Sequence, residues 1–348
     1  MLHPRGDGMS PAAGERPARA RDLGLLADAG TPGPLGAITD VPGVAVGHRT
    51  LREPPDVHTG VTALVPAGIG PVPGGRRPAG LFAGNGYGKL IGATQVAELG
   101  EIESPVVLTS TLSAFRAADA VVGWMLDRPD CADVLSFNPF VGECNDGHLS
   151  DIRRRPVHEE HVRDALAAAR GGPVEEGCVG AGTGTCALGF KAGVGTASRL
   201  TRVDGEQVTL GVLVQANFGG TLRVGGVPVR PEAEPPPDDG SCMIVVATDA
   251  PLDARQLTRL ARRAVFGLAR VGASYGNGSG DYALAFTVRE SPMSVPDRHL
   301  DPLFVAALEA VEESVLNALC AAVTTTGRLG RVARAVPHIR LRAAVGGP

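Results

Sequence analysis

Apolar positions along the chain fall into short runs separated by glycine turns, interrupted by four longer stretches in which they recur at helical spacing. Val41 to Val46, Gly60 to Val65, Pro105 to Thr109 and Ala132 to Phe137 have the length and composition of buried or half-buried strands. Ser113 to Arg128 gathers Phe115, Val122, Trp124, Met125 and Leu126 mostly on one side, and Val157 to Arg170 places Val162, Leu166 and Ala169 on one helical face. Residues 208–216 (VTLGVLVQA), 241–248 (SCMIVVAT) and 282–288 read as further strands. Asp253 can cap a helix running to Val271, and Asp301 followed by Pro302 opens another to about Val323. Phe304, Leu308, Val311, Val315 and Leu319 share one face of that last helix. Strands followed by long amphipathic helices predict an α/β layered sandwich. Two stretches carry neither pattern. Residues 1–34 lack periodicity and predict a mobile arm, with the fold beginning near Leu35, and Arg230 to Gly240 (RPEAEPPPDDG) is too rich in proline for helix or central strand.

Composition narrows the functional classes. Nine Phe, three Tyr and one Trp leave the core to aliphatic side chains and make stacking on bases improbable. A net charge of −4 predicts neither a nucleic-acid groove nor a polybasic membrane anchor. The cations are nearly all arginine; Lys89 and Lys191 are the only lysines. Six cysteines without CxxC spacing, in a chain of 348 residues that needs no staples, are expected to be reduced. With no apolar run of signal-peptide or transmembrane length, a soluble cytoplasmic protein is expected.

Glycine clusters invite a nucleotide reading, which their spacing does not support. GNGYGKLIG (from Gly84) and GAGTGTC (from Gly180) match neither GxGxxG at a strand-to-helix turn nor GxxxxGK[ST]. Cys144, His148, Cys178 and Cys186 match no common zinc spacing, so neither metal nor cofactor is expected. The informative place is Asp238-Asp239-Gly240-Ser241-Cys242, where an acidic loop runs straight into an apolar strand. Taken alone, DDGS is an ordinary turn. Its company is less ordinary: Asn217 ends one strand (VQANFGG), and Ser279 and Asp281 open another (NGSGDYALAF).

Together with ITDVPGVAVGH, TGVTAL, GECNDGHLSDIR, GAGTGTCALGFKAGVGTASR and GSCMIVVATDAPLDARQLTRLARR, these tracts resemble the L-aminopeptidase/D-esterase and β-peptidyl aminopeptidase family, in unbroken order from about residue 35 to 335. The resemblance implies a four-layer αββα sandwich like that of N-terminal nucleophile hydrolases. It also implies a precursor that cuts itself between Gly240 and Ser241 into an α chain, residues 1–240, and a β chain, residues 241–348. Such chemistry needs no histidine: Ser241 attacks the Gly240 carbonyl, the ester is hydrolysed, and the freed α-amine, with a reference pKa near ~7.7, becomes the base beside the hydroxyl. By the same resemblance Ser279 and Asp281 complete the network around Ser241, Asn217 donates to the oxyanion, Glu143 receives the free amino group of the substrate, and Asn145 belongs to the substrate pocket.

The resemblance further implies a small peptide, amide or ester substrate, no cofactor, and a homo-oligomer of αβ pairs, a tetramer being one form. The loop holding Asn85, Tyr87 and Lys89 departs from the family pattern, which usually has a second asparagine and an acidic residue there, and the aromatic residue usual near Asn145 is missing. The pocket walls therefore differ. Two other readings of the same fold are acyl transfer to an amine and an uncleaved, non-catalytic scaffold.

Overall fold

The computed structural model describes residues 16–26, 29–232, 240–290 and 294–347. Two sheets lie face to face, each covered on its outer side by a pair of helices. The first sheet contains β1 (Val44–Glu53), β2 (Val57–Pro66), β5 (Val106–Ser110) and β6 (Phe140–Cys144) in that order, antiparallel except for the parallel pair β5 and β6. The second runs β4-β3-β10-β9-β8-β7, where β3 is Arg77–Gly86, β4 Glu101–Ile102, β7 Val194–Val203, β8 Glu206–Asn217, β9 Ser241–Thr248 and β10 Gly280–Thr287. Here β9 and β10 are parallel and the other pairs antiparallel. After the short α1 (Ala93–Leu99), the helices are α2 (Ala114–Leu126), α3 (Glu159–Ala167), α4 (Ala254–Arg270), α5 (Asp301–Cys320) and α6 (His338–Ala344).

Alternation along the strands sorts the core into three layers. In β9, Met243, Val245 and Ala247 meet Leu64, Val106 and Leu108 between the sheets. Cys242, Ile244 and Val246 turn the other way, against Leu257, Leu260 and Ala264 of α4 and Val311 and Val315 of α5. Val61, Val107 and Val141 face Ala117, Val121 and Met125 of α2 and Val162 of α3. The αββα sandwich follows from these faces: β9 is apolar on both sides because both are covered.

Three expectations need correction. Ala132 to Phe137 is not a strand: it follows a short turn at Pro129–Cys131, Leu135 is 99% exposed, and the paired strand starts only at Phe140, past Pro139. β3 and β7 are strands that the apolar pattern did not signal. In β7 the buried polar side chains are spent internally, Thr196 Oγ1 donating to the Val212 carbonyl at 2.6 Å and Ser198 Oγ to Asp40 at 2.6 Å. Gly195 lets α5 press directly on this strand, since a β-carbon there would lie 1.9 Å from the Ser314 carbonyl oxygen.

The third correction concerns the arm. Residues 1–15, 27 and 28 lie outside the described residues, but residues 18–26 are packed: Ala20, Leu23 and Leu25 are buried in the outer core. Arg19 donates to the carbonyls of Leu35, Gly36 and Thr196 and pairs with Glu176, while Arg21 pairs with Glu313 of α5 at 2.8 Å. Non-periodic chain can pack in this way because its contacts are arginine forks on carbonyls and carboxylates, which hydrophobic spacing does not register. Of the proline-rich loop, Arg230 and Glu232 are exposed, Gly240 is buried, and residues 233–239 lie outside the described residues.

Candidate active site

Three neighbouring strand ends bring the polar residues together. Asn217, the last residue of β8, is the cross-strand partner of Ser241, the first of β9; on the other side Ser241 pairs with Gly280, and Cys242 with Asp281. Ser241 is 4% exposed and Asn217 5%. The Cys144 thiol donates to the Ser241 carbonyl oxygen at 3.1 Å, tying the start of β9 to the opposite sheet. Glycine at 240 has a spatial reason, since a β-carbon there would lie 2.0 Å from the Asn217 carbonyl oxygen.

The Asn217 amide is oriented by its partners. Its Oδ1 accepts from the Cys186 backbone N–H at 3.0 Å, so Nδ2 is the donor end, and one of its hydrogens goes to the Asn145 carbonyl at 3.0 Å. The second hydrogen is left for another acceptor. Ser279 donates to Asp281 Oδ1 at 2.8 Å, and Asp281 Oδ2 is buried without a partner. Asp281 stands in the helix-facing row of Ala283 and Ala285, whereas Ser241 shares the inward row of Met243 and Val245.

A cavity of about 570 Å3 opens beside Ser241, lined by Tyr87, Lys89, Thr111, Glu143, Asn145, Gly240, Ser241, Asn277 and Gly278. That is the size of a small-molecule site. Glu143, on β6 of the first sheet and 2% exposed, accepts from the Lys89 backbone N–H at 2.9 Å through Oε1, and its Oε2 has no hydrogen-bond partner. A nearly buried carboxylate with an open acceptor position calls for a cationic donor. Asn145 borders the cavity, but its Oδ1 accepts from the Gly147 backbone at 3.0 Å, bracing its own turn.

The model of peptidase family S58 matches residues 36–333 of the chain. The chain belongs to peptidase family S58. It is a hydrolase, a serine aminopeptidase of αββα architecture. The β-peptidyl aminopeptidase BapA of Sphingosinicella microcystinivorans is 40% identical, the alignment covering 96% of this chain and 93% of that protein. The β-aminopeptidase of a Burkholderia species superposes with a TM-score of 0.88 at 40% identity, covering 94% of this chain and 98% of that one. The L-aminopeptidase D-Ala-esterase/amidase of Ochrobactrum anthropi, a prototype of the serine aminopeptidases and a variant of the Ntn hydrolase fold, superposes with a TM-score of 0.87 at 40% identity, covering 95% and 98%.

Electrostatics in this S58 site are dominated by burial. Desolvation raises the Asp281 carboxyl to about 6, with the Ser279 hydroxyl opposing the shift. Desolvation likewise lifts Asp146, which accepts from Ser110 Oγ at 2.8 Å, to about 6. Sequence reasoning missed Thr111 and Asn277, which also line the cavity. Asn277 sits in the same NGSGD tract as Ser279 and was within reach of that reading; Thr111 gave no signal, because only the pairing of β5 with β6 carries it to the pocket.

Proposed function

We propose that the chain cuts itself between Gly240 and Ser241 and that Ser241, as the new amino terminus, is the nucleophile that hydrolyses amide or ester bonds of small substrates with a free amine. The observation that carries this reading is the position of Ser241: first residue of a central buried strand, at the wall of a cavity, with an oriented asparagine donor on the strand beside it.

Each neighbour has a stated task. The second Nδ2 hydrogen of Asn217 donates to the oxyanion as the carbonyl becomes tetrahedral. The Ser241 α-amine takes the hydroxyl proton and returns it to the leaving amine, so that an acyl-enzyme forms on Oγ and water then releases it. Because the strand backbone is common to both faces of its sheet, the Ser279–Asp281 pair acts on that amine, Asp281 balancing the positive charge it gains. The Glu143 carboxylate receives the ammonium of the substrate, which selects free amino termini.

The names of the relatives support peptides beginning with a β-residue, or small L-amino-acid amides and D-alanine esters, as substrates. We assign the mature form to a homo-oligomer of αβ pairs. Among the described residues no helix is long and apolar enough to cross a membrane, and Cys131, Cys144, Cys178, Cys186 and Cys242 are free thiols, which supports work in a reducing cytoplasm. Ser241→Ala tests the assignment: it should abolish hydrolysis of β-alanyl p-nitroanilide, and a variant that retains turnover would reject Ser241 as nucleophile.

A further inference from the structure

Lys89 introduces a positive charge where the free amine of a substrate is to be bound. Its Nζ lies 3.7 Å from Glu143 Oε1 and donates to Thr111 Oγ1 at 2.8 Å; all three residues line the cavity with Ser241. The ammonium and carboxylate are too far apart to close a hydrogen bond on each other, and Lys89 keeps 37% of its side chain exposed. Glu143 Oε2 is meanwhile buried and has no hydrogen-bond partner. The wall therefore presents one acceptor of negative charge and one donor of positive charge side by side.

A substrate with an ammonium alone gains from Glu143 but leaves the Lys89 charge beside it unpaired, which weakens that gain. A zwitterionic group is different: ammonium on Glu143 and carboxylate on Lys89 satisfy both. When amine and carboxylate sit on the same carbon, covalent geometry holds nitrogen and oxygen ~2.7 Å apart, a spacing that the Glu143 carboxylate and Lys89 Nζ, 3.7 Å from Glu143 Oε1, can meet side by side.

The choice of lysine points the same way. The chain uses 31 arginines and two lysines. The other, Lys191, is fully buried and donates to the carbonyls of Thr185 and Ala192 at 2.9 and 2.6 Å, a position for a compact ammonium and not for a planar fork. Lys89 differs in standing part-exposed at the cavity wall, where its ammonium reaches Thr111 beside Glu143 and keeps donors free for a ligand.

We propose that Lys89 makes this enzyme selective for amino-terminal residues that carry a carboxylate on the amine-bearing carbon, the arrangement of a β-aspartyl (isoaspartyl) residue. Such a residue is a β-amino acid whose substituent is a carboxylate. The amide broken is the one formed by its side-chain carbonyl, and hydrolysis releases free aspartate. The inference rests on the reading in which Ser241 attacks and Glu143 binds the amine.

The test uses the mature full-length enzyme and four anilides: the β-p-nitroanilide of aspartate with its α-carboxylate free, the same compound as α-methyl ester, β-alanyl p-nitroanilide and its N-acetyl derivative. The free acid should exceed its methyl ester in kcat/KM by about 10- to 100-fold, the range of one charge-assisted hydrogen bond. Lys89→Met should bring that ratio to about one or below. A wild-type ratio at or below one overturns the proposal whether or not the variant folds, and so does a high ratio that survives Lys89→Met, because the carboxylate is then read elsewhere. The β-alanyl pair separates the underlying reading. If acetylation costs nothing, recognition of the amine by Glu143 fails and the proposal falls with it; if acetylation abolishes turnover while the acid and ester are equal, only the role of Lys89 fails.

Discussion

Asn217 and Ser241 are cross-strand partners, and the chain leading into Ser241 passes so close to Asn217 that only glycine fits at position 240. The donor is thereby fixed to the nucleophile by strand register instead of by a flexible loop, which is what preorganised stabilisation of an oxyanion requires. Asn217→Ala should lower kcat by about 10²- to 10³-fold with a smaller change in KM, because the bond strengthens mainly in the transition state. Steady-state kinetics on a p-nitroanilide substrate decide it, and an unchanged kcat would remove Asn217 from the mechanism.

Glu143 is tested by its charge. Glu143→Gln should cost about 1.5–3 kcal/mol in kcat/KM for substrates with a free amine and leave N-acetylated ones equally poor, narrowing the preference between them. Maturation is the control, since the bond before Ser241 presents no ammonium. A matured variant that keeps the parental ratio would show that the amine is recognised elsewhere.

The site residues are legible in the sequence through the family resemblance of the tracts that hold them; by pattern alone each reads as a turn or cap. Ser241, Asn217, Ser279 and Asp281 sit at boundaries between polar turns and apolar runs, and β8, β9 and α5 are apolar enough to read directly. β3 and β7 are not legible, because glycine for close helix contact and internally paired Thr, Ser and Arg side chains disguise them as loops. The packed part of the arm is hidden for a related reason: its strongest contacts are ion pairs and carbonyl bonds from Arg19 and Arg21. Nor can spacing reveal that Lys89 meets Glu143, 54 positions away, since only the approach of the two sheets brings them together.

Asp281 sets the expected pH dependence. Its carboxyl titrates near about 6, raised chiefly by desolvation. If its charge balances the amine of Ser241, kcat/KM should rise as pH increases through about 6, and Asp281→Asn should lose both most of the activity and this acid limb. Linkage has the opposite sign for stability: the native state holds this proton more tightly than the unfolded chain, so the contribution of Asp281 falls as pH rises from about 4 to about 6. A pH–rate profile of Asp281→Asn that keeps the limb would assign it to another group, Asp146 first.

Glu313 anchors the arm. Buried at 1% exposure on α5, it pairs with Arg199 at 2.7 Å and Arg21 at 2.8 Å. Glu313→Ala leaves the Arg199 guanidinium buried with one carboxylate fewer and should cost about 3–5 kcal/mol in urea unfolding. Limited proteolysis should cut the variant between residues 16 and 26 sooner than the parent. Equal stability and equal cleavage would show that the apolar contacts of Ala20, Leu23 and Leu25 hold the segment alone.

The central claim is that one bond is cut to make the nucleophile, and the intact mass of the active protein under denaturing conditions tests it most directly. Scaling 35.6 kDa by residue number predicts two chains of about 24 and about 11 kDa, the smaller beginning Ser-Cys-Met-Ile, with Ser241→Ala remaining one inactive chain. A single uncut 348-residue chain that hydrolyses its substrates, or a Ser241→Ala variant that is still cut at this bond, would contradict the account.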